Sequence, residues 1–576
     1  MQRDLEALTR AEHDLVVIGG GMFGAAAALD AAQRGLRVAL VERGDFCGAT
    51  SAHSFKMLHG GIRYLQHADL YRVRQSARAR AAFLRVAPHL AQPLPIVVPT
   101  YGRGMKSRPV LQAAMAAYDL LTFDRNRGIA EPSRRIPRGE VWGRAEVVRR
   151  YPGIARDGLT GAGVFRDGQM YNPPRLVLAF VQSAAAAGAV CANHVEVTGF
   201  LRRGDRVEGV VARDRTTGER LEVRARLVLN AAGPYAEGIL RAGLGRGLHP
   251  PMPFSRDAYF IVGRKLLPDG HALTVPATTA DPDAILSRGA RHLFLVPWRD
   301  VTLVGVWHKV FTGAPDAYAI EEHELASWLA EIDRGYGGLG LGLDDVVLAS
   351  AGLVPFGEND PDARHLKYAH RSRIVDHAAA DGIAGIVSLV GVRFTTAPVE
   401  APRVIDLVAR RLDRKLPPSR LERTPVRGGD FTRLDSLLGE AGRTAPAGVP
   451  RASLEALVRN HGSAIGEVLA VASERADRAL PLPGSTVLAA EIVHAARREM
   501  ALTLADAVFR RTDLCTAGHA SEPALAEAAR LMAETCGWDA ARRRAELDRV
   551  RAKLRLARSG RGFLDVEPPV DAARVA

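Results

Sequence analysis

One stretch near the start of the chain constrains its fold more than any other. Residues 13–46 read HDLVVIGGGMFGAAAALDAAQRGLRVALVERGDF. A short apolar run ends at a glycine-rich turn, a helical stretch follows, and a second apolar run ends at Glu42. This order predicts a strand, a helix and a parallel strand. Because Gly19, Gly21 and Gly24 make the pattern G-x-G-x-x-G, the sequence predicts a dinucleotide-binding unit.

Each residue of this pattern has a physical role. Gly19 permits the tight turn, Gly21 lets a pyrophosphate approach the backbone, and Gly24 lets the helix pack closely on the strand. The N–H groups at the helix N-terminus would face the phosphates. Glu42 is placed to accept from a ribose hydroxyl, and its charge disfavours a 2′-phosphate. The alternative is a tight turn with only a structural role, but the position of Glu42 at the expected spacing after the glycines argues against it.

The segment after the second strand favours FAD over NAD. A simple NAD domain would continue with another strand–helix unit, whereas residues 48–65 read GATSAHSFKMLHGGIRYL. Four polar side chains there suit contacts with a pyrophosphate and a flavin ring: Thr50, Ser51, Ser54 and Lys56. His59 and Gly60 begin a His-Gly-Gly turn, which lets the backbone approach a flat ring, and His59 is expected to pack on the flavin. The predicted cofactor is therefore FAD.

Motifs along nearly the whole chain carry a resemblance to a known family. They are ATS (49–51), KMLHGGIRYL (56–65), APHL (87–90), NAAGP (230–234), VPW (296–298), RFTT (393–396), GGDF (428–431) and ADAVFRRT (505–512), besides the glycine motif. With them the chain resembles the aerobic-type, FAD-dependent glycerol-3-phosphate dehydrogenases, within the D-amino-acid-oxidase-like flavoproteins. The block at 56–65 is specific to that family, and the segment at 505–512 is expected to be structural there.

The expected fold class is α/β. We expect a two-dinucleotide-binding-type (Rossmann-like) FAD domain with an antiparallel-sheet substrate cap, plus a C-terminal all-α domain. The FAD domain is predicted over residues 1–415, with cap strands mainly at about 90–165 and 250–355, a linker over 416–430, and the helical domain over 431–576. A 3.6-residue period predicts C-terminal helices over 454–475, 487–511 and 523–557, and residues 165–172 are expected to form a loop.

The resemblance also implies an activity. It implies FAD-dependent oxidation of sn-glycerol 3-phosphate to dihydroxyacetone phosphate, with hydride transfer to flavin N5 and electrons passed to a quinone. The substrate-side candidates are Arg63, Tyr64, Tyr259, His308, Arg371 and Arg393. Arginine suits a phosphate because its planar fork matches the oxygens, and histidine is a candidate base. The remaining cofactor-side candidates are Val197, Ala232, Gly233, Gly391, Thr395 and Thr396.

The departures from the family pattern fall where the substrate should sit. The family's G-x-R-P is here GLVP, so Val354 replaces a substrate arginine. Its G-T-T-D is here GVWH, ending at His308, and Tyr259 stands near the place of a histidine. Arg393 replaces a lysine, which keeps charge but not shape. Val354 and Trp307 would make the substrate-facing side of the site more apolar. Another small hydroxy or amino compound therefore stays open as the substrate.

The fold by itself does not fix the type of reaction. An oxidase that uses O₂ and an amine or amino-acid oxidoreductase both fit the same fold. A flavoprotein without turnover, serving as a binding module, fits it too, but Arg63, Arg393 and Thr395 argue against that role. Nucleic acid is not an expected partner, since no recognition motif supports it. The sequence does not decide whether the chain forms a homodimer.

Charge and cysteine content bear on partners and location. The chain has 576 residues and a net charge of 78 − 64 = +14, which suits a small anionic, phosphorylated substrate or acidic lipid. The cationic helix predicted over 542–558 is a candidate peripheral membrane surface, or else a solvated face. No signal peptide or spanning segment is expected, so we expect a cytoplasmic protein, with peripheral contact at the inner membrane face as an alternative. The four cysteines form no C-x-x-C, so no metal is expected.

Overall fold

The computed structural model describes residues 1–102, 108–249, 251–280, 290–355, 371–518 and 520–558. Within these ranges the strands form one eight-stranded and one nine-stranded sheet. The strands are β1 (His13–Ile18), β2 (Val38–Val41), β3 (Met57–Leu58), β4 (Ala91–Tyr101), β5 (Glu140–Gly143), β6 (Leu159–Met170), β7 (Val190–Ala192), β8 (Val195–Arg203), β9 (Arg206–Asp214), β10 (Arg220–Asn230), β11 (Phe254–Val262), β12 (Ala272–Ala280), β13 (Ala290–Trp298), β14 (Val301–Phe311), β15 (Val346–Pro355), β16 (Arg373–Asp376) and β17 (Ile386–Val390).

Helices cover the sheets and make up most of the C-terminal part. The α-helices are α1 (Leu5–Arg10), α2 (Met22–Gln33), α3 (Leu70–Val86), α4 (Arg108–Leu121), α5 (Arg144–Arg150), α6 (Pro173–Ala186), α7 (Ala236–Leu244), α8 (Glu322–Gly335), α9 (His377–Ala380), α10 (Ala397–Arg411), α11 (Leu434–Thr444), α12 (Arg451–His461), α13 (Ile465–Ser473), α14 (Ala489–Arg498), α15 (Leu504–Asp506), α16 (Glu522–Cys536) and α17 (Ala540–Arg558). Short 3₁₀ helices lie at Ile62–His67, Pro132–Arg134, Gly233–Tyr235, Leu343–Asp345, Phe394–Thr396, Gly462–Ala464 and Ala476–Ala479, and a π-helical turn at Ala507–Arg511.

The eight-stranded sheet has a parallel centre. Its order is β16–β17–β10–β1–β2–β7, and β8 and β9 join it through β10. All six residues of β1 are buried, as expected for a strand covered on both faces. Helices α6 and α10 both pack against α2 beside this sheet. The glycine motif therefore lies between β1 and α2, as the sequence predicts.

The strand β10 serves two pairings along its length. Its first half pairs antiparallel with β9, and its second half pairs parallel with β1. The sequence predicts a small antiparallel sheet followed by a separate strand returning to the core. The structure makes one continuous strand of the two, because residues 220–230 keep an extended backbone throughout.

The nine-stranded sheet has the order β15–β11–β14–β13–β12–β4–β6–β3, with β5 paired to β6. Its pairs are antiparallel except β4 with β12. The prediction of a loop at residues 165–170 is wrong. These residues belong to β6, whose backbone pairs with β4 from Leu159 to Met170 and so extends the strand to the end of that run.

The C-terminal helices are shorter than the sequence predicts. The run predicted over 454–475 is broken at Gly462, which has a φ of +54°. A Cβ there would lie 1.8 Å from the Gly428 carbonyl oxygen, so close backbone contact interrupts the helix. The predicted architecture, a parallel-centred α/β sheet with an antiparallel sheet and C-terminal helices, is confirmed. The exact domain boundaries stay a prediction.

Buried ion pairs attach the C-terminal helices to the rest of the molecule. Arg511 donates to both carboxylate oxygens of Asp45, at 2.6 and 2.7 Å. Arg175 Nη1 donates to Glu499 at 2.6 Å. Each pair joins side chains that are almost fully buried. Among the described helices, none is long and apolar enough to cross a membrane.

Candidate active site

A cavity of about 1530 Å³ lies among residues of both sheets and their connecting loops. This volume exceeds the roughly 300–1,000 Å³ typical of a small-molecule pocket, and it suits a dinucleotide together with a substrate. Three parts of its lining differ in chemistry. The glycine wall is Gly19, Gly21, Glu42 and Ser51, the arginine wall is Arg63, Tyr64, Arg72 and Arg393, and the cap wall is Asp257, Tyr259, His308 and Val354.

The glycine wall is built from close backbone contacts. Gly19 has a φ of +103°, and a Cβ there would lie 2.8 Å from the Ala231 carbonyl oxygen. A Cβ on Gly24 would lie 1.9 Å from the Gly19 carbonyl oxygen. Both positions therefore require glycine, one for the turn and one for packing α2 on β1. Gly24 itself does not line the cavity.

Two polar side chains complete the glycine wall. Glu42 accepts from the backbone N–H of Gly20 at 2.6 Å and of Gly44 at 3.0 Å. Ser51 Oγ accepts from the N–H of Met22 at 3.0 Å, in the first turn of α2. A Cβ on Gly21 would lie 3.2 Å from this hydroxyl. Glycine at 21 thus keeps space open at the helix N-terminus, which suits the diphosphate of FAD.

A buried ion pair fixes the His-Gly-Gly turn. Asp167 accepts from the Gly60 N–H at 2.6 Å and from Arg80 Nη1 at 2.8 Å. His59 Nδ1 lies 3.4 Å from the other Asp167 oxygen. Burial alone would raise the pKa of Asp167, but the hydrogen bond from His59 and the charge of Arg80 hold it below its ordinary value. Neither Asp167 nor Arg80 follows from the sequence pattern.

The arginine wall centres on Arg393. Its Nη1 donates to the Tyr64 hydroxyl at 3.1 Å and to Ser76 Oγ at 3.0 Å, and its Nη2 donates to Gln75 Oε1 at 3.0 Å. Gln75 in turn donates to Glu400, whose pKa is raised by burial. The guanidinium of Arg393 is therefore oriented by three neutral partners, and it keeps its positive charge for an anion.

Two further arginines stand beside this group. Arg72 lies over the Tyr64 ring, with its Cζ 4.5 Å from the ring centroid, and it donates to Asp69 at 2.6 Å. Arg63 is exposed and lines the cavity. Together with Arg393 they give this wall a positive character, which suits a phosphorylated substrate.

The cap wall carries a histidine–aspartate pair. His308 and Asp257 are directly opposite each other on β14 and β11, and His308 Nδ1 lies 2.9 Å from Asp257 Oδ1. Since a carboxylate only accepts, Nδ1 carries the proton and Nε2 is the basic nitrogen. Ser255 donates to the same carboxylate at 2.6 Å. Sequence reasoning named His308 and missed Asp257, although both lie at cavity-facing positions of neighbouring strands.

Lys56 pairs with Tyr259, a residue of the cap wall. Lys56 Nζ donates to the Tyr259 hydroxyl at 2.6 Å and lies 4.7 Å from the Trp298 ring centroid. Lys56 is buried and does not line the cavity. The sequence places it against the cofactor, whereas the structure directs its ammonium to the aromatic side of the cap sheet. Tyr259 does line the cavity.

The cap wall is less apolar than the sequence predicts. Val354 lines the cavity, but Trp307 does not. The Trp307 ring stacks on Trp328, with centroids 4.6 Å apart, and its Nε1 donates to Glu331 at 2.8 Å. Side chains alternate along a strand, so Trp307 faces α8 while His308 faces the cavity. The substitution at 307 is therefore a change in sheet–helix packing.

The structure brings most of the predicted residues to one cavity. Those that line it are Gly19, Gly21, Glu42, Thr50, Ser51, Ser54, His59, Arg63, Tyr64, Val197, Ala232, Gly233, Tyr259, His308, Gly391, Arg393 and Thr395. Those that do not are Gly24, Lys56, Gly60, Thr396 and Arg371.

Arg371 and Thr396 lie outside the lining for different reasons. Arg371 is exposed, and its guanidinium lies over the Tyr71 ring at 4.8 Å. The segment just before it, 356–370, lies outside the described residues. Thr396 is buried and donates to the Arg393 carbonyl oxygen at 3.0 Å, so it shapes the turn that carries Arg393.

Among the residues that the structure describes, two buried groups have ligand atoms close enough for a metal ion: Asp45, His194 and Asp506, and His461, His494 and Glu499. Each already contains a buried arginine, Arg511 on Asp45 and Arg175 on Glu499. These guanidinium groups neutralise the acids that a cation would need. We therefore assign both groups to the attachment of the C-terminal helices.

Comparison with known proteins identifies the family of the chain. Residues 14–399 match the family described as FAD dependent oxidoreductase, and residues 419–543 match the C-terminal domain of alpha-glycerophosphate oxidase. The glycerol-3-phosphate dehydrogenase of Synechocystis is 29% identical over 93% of this chain and 95% of its own length. The mitochondrial glycerol-3-phosphate dehydrogenase of Bos taurus is 30% identical over 96% of this chain and 75% of its own length.

A solved structure shares the fold. The glycerol-3-phosphate dehydrogenase of Bacillus halodurans, complexed with FAD, superposes with a TM-score of 0.74 at 22% identity, over 96% of this chain and 97% of that one. The cofactor of the present chain is FAD, and the glycine wall fits it. Gly19 and Gly21 leave room for the diphosphate, and Glu42 lies at the tip of β2.

Proposed function

The chain belongs to the FAD-dependent oxidoreductase family and is an enzyme of the glycerol-3-phosphate dehydrogenase type, and on this basis we propose that it oxidises sn-glycerol 3-phosphate to dihydroxyacetone phosphate. The observation that carries the proposal is the arrangement of one cavity. The glycine wall suits the FAD diphosphate, and the arginine wall suits the substrate phosphate. A histidine–aspartate pair lines the same cavity.

Different side chains of the cavity bind the substrate phosphate and accept the hydroxyl proton. When bound, FAD would supply the two-electron acceptor for the hydride of the carbinol carbon. Arg393, oriented by Tyr64, Ser76 and Gln75, binds the substrate phosphate. His308 takes the hydroxyl proton at Nε2, while Asp257 holds its ring and stabilises the charged form. The carbinol loses a hydride and a proton and becomes the ketone.

Anaerobic reduction of the bound flavin tests the substrate. The purified protein is mixed with sn-glycerol 3-phosphate, and loss of flavin absorbance is followed, with glycerol, lactate and simple amines as comparisons. Rapid bleaching by the phosphate ester alone supports the proposal. A yellow protein that ignores the ester but is bleached by another compound contradicts it.

One observation favours a second substrate class. Val354 stands where the family has an arginine, and the nearby carboxylate of Asp257 would repel a phosphate placed against this wall. Another small hydroxy or amino compound is therefore the alternative substrate. Bleaching by an amine or by lactate, faster than by the phosphate ester, is the result that selects it.

We infer that a quinone at a membrane surface is the electron acceptor. Four exposed apolar side chains, at the start of α3 and around the end of α4, give a surface for lipid: Leu70, Tyr71, Leu120 and Phe123, exposed by 52, 48, 75 and 77%. Arg74 donates to the Leu121 carbonyl oxygen at 2.8 Å, but Asp124 pairs with its guanidinium at 2.6 Å, so the proposed lipid contact rests on the four apolar side chains.

The cationic helix α17 supports membrane contact less well than the sequence predicts. Arg551 donates to Glu522 at 2.9 Å, and Arg549 donates to Glu546 at 2.8 Å. These ion pairs neutralise part of the positive charge of α17. We therefore place the proposed membrane contact on the apolar surface of α3 and α4.

Vesicle binding and reoxidation test this acceptor. Co-sedimentation with anionic vesicles should weaken in the double variant L120S/F123S and stay unchanged in L480S, since Leu480 is exposed by 51% at a distant part of the chain. The reduced protein should be reoxidised by a short-chain ubiquinone analogue much faster than by O₂. Equal rates with the two acceptors would favour the oxidase alternative.

A further inference from the structure

Arg510 reaches the FAD cavity from the C-terminal helices. Among the described residues that line the cavity, it alone comes from beyond residue 415. It belongs to the π-helical turn Ala507–Arg511, a kind of turn that is frequent at functional sites. Its side chain is almost fully buried, with 7% exposed. The resemblance gives this segment a structural role only.

The neighbouring Arg511 forms the buried ion pair with Asp45 that connects this turn to the FAD domain. Asp45 accepts from both terminal nitrogens of Arg511, at 2.6 and 2.7 Å, and from Asn193 at 2.9 Å. Arg510 Nε stands 3.9 Å from the same carboxylate, beyond hydrogen-bond distance. Arg511 thus makes the direct hydrogen bonds to Asp45, and Arg510, the residue before it, also lines the cavity.

The position of the Arg510 head group indicates its ligand. A Cβ on Gly48 would lie 3.6 Å from Arg510 Nη2, so the guanidinium lies beside the Gly48 backbone. Gly48 begins the segment that ends at Ser51, whose hydroxyl accepts from the first turn of α2. Arg510 therefore stands at the edge of the glycine wall, where the phosphates of a dinucleotide meet the helix N-terminus.

We propose that Arg510 is a cofactor-binding residue, which donates a charged hydrogen bond to the diphosphate of FAD. The C-terminal helices then complete the cofactor site as well as covering the FAD domain. Because ligand binding and the docking of an element that contacts the ligand stabilise each other, loss of FAD should loosen the attachment of these helices. The inference depends on the cofactor and not on the identity of the substrate.

Flavin affinity in the full-length protein tests the proposal. The dissociation constant for FAD is measured by the recovery of flavin fluorescence on dilution, in the wild type and in R510Q and R510K. A charged hydrogen bond contributes enough to predict a roughly 10–100-fold weaker affinity in R510Q, with R510K between. The effect should grow at low ionic strength. ADP should also bind the R510Q apoprotein more weakly than it binds the wild-type apoprotein, while riboflavin should bind the two apoproteins equally well.

R478Q is the matched control, since Arg478 is also a C-terminal arginine buried to a similar degree, pairs with Glu474, and lies outside the cavity lining. We expect R478Q to lower the melting temperature and leave FAD affinity unchanged. An R510Q protein that behaves in the same way, with an FAD affinity within twofold of the wild type, would overturn the proposal. If R510Q does not fold, an R510K protein with unaltered affinities for FAD and ADP at every salt concentration would overturn it equally.

Discussion

The glycine wall and the arginine wall line one cavity but are built on different principles. Around Gly19 and Gly24, backbone atoms approach so closely that a single added carbon would meet a carbonyl oxygen. The Arg393 guanidinium is instead held by three side-chain hydrogen bonds, two of them from α3. At the close backbone contacts almost no residue other than glycine fits. The side-chain hydrogen bonds of Arg393, in contrast, can be replaced by hydrogen bonds to other partners. Of the departures from the family pattern, Tyr259, His308, Val354 and Arg393 line the cavity, whereas Trp307 faces α8.

The largest effect on cofactor binding is expected at Gly24. In G24A the new Cβ would lie 1.9 Å from the Gly19 carbonyl oxygen, so α2 must move away from the turn. We expect a loss of at least roughly 1–3 kcal/mol in stability and little bound FAD, read from flavin absorbance per protein and the melting temperature. G466A is the control, because nothing lies within 4 Å of a Cβ at Gly466. A G24A protein with full flavin content would contradict the contrast between the two walls.

Asp167 fixes the His-Gly-Gly turn, and its removal is expected to have the largest effect on stability. D167N leaves Arg80 buried without its charge partner, which costs roughly 3–5 kcal/mol. The folded-state pKa of Asp167 lies below its unfolded value, so its ionised form stabilises the fold above about pH 4. This contribution disappears as the pH falls further.

The pH dependence distinguishes a lost charge from simple packing damage. Denaturation midpoints of D167N and the wild type should differ most at neutral pH and converge in acid. D124N serves as the control, since Asp124 forms an exposed pair with Arg74 and should change stability by less than about 1 kcal/mol. A gap between D167N and the wild type that stays constant down to acid pH would contradict the assignment.

His308 should affect the chemical step and leave cofactor binding intact. A general base contributes roughly 10²–10⁴-fold, so H308N should slow flavin reduction by about 100-fold or more at unchanged FAD affinity. His292 also lines the cavity but is exposed, and H292N should change the rate by less than about threefold. A larger loss of the rate of flavin reduction in H292N than in H308N would identify His292 as the base.

The smallest effect is expected at Arg371. Its guanidinium lies over the Tyr71 ring and outside the cavity lining. R371Q should therefore change KM for the substrate by less than about twofold, because a solvated stacking contact is weak. A tenfold rise in KM would show that Arg371 reaches the substrate phosphate, as the family pattern implies, and would extend the arginine wall.

Local contacts explain why the glycine wall could be predicted from the sequence. Gly19, Gly24 and Glu42 lie within one strand–helix–strand unit, so short-range pattern fixes their relation. The strand β2 ends directly before Glu42, as the sequence predicts. The same reasoning placed the antiparallel strands β8 and β9, whose turn residues lie next to the strands they connect.

The remaining site depends on contacts that no local pattern encodes. Tyr64 and Arg393 are 329 residues apart, and His308 and Asp257 are 51 residues apart on neighbouring strands. Lys56 has a residue type and position that suit a cofactor contact, yet it pairs with Tyr259, 203 residues away. Such pairings follow only from the register of the cap sheet. The sequence named all of these residues except Asp257, but it gave none of the pairings between them.

Binding of the substrate phosphate by the arginine wall is the step on which the proposed activity depends, and a two-by-two comparison tests it. Anaerobic flavin reduction is measured for the wild type and R393Q, each with sn-glycerol 3-phosphate and with glycerol. We expect a roughly 10–100-fold loss in R393Q with the phosphate ester, little change with glycerol, and equal FAD content in both proteins. An equal loss with both substrates, or a wild type that prefers glycerol, would contradict this role of the arginine wall.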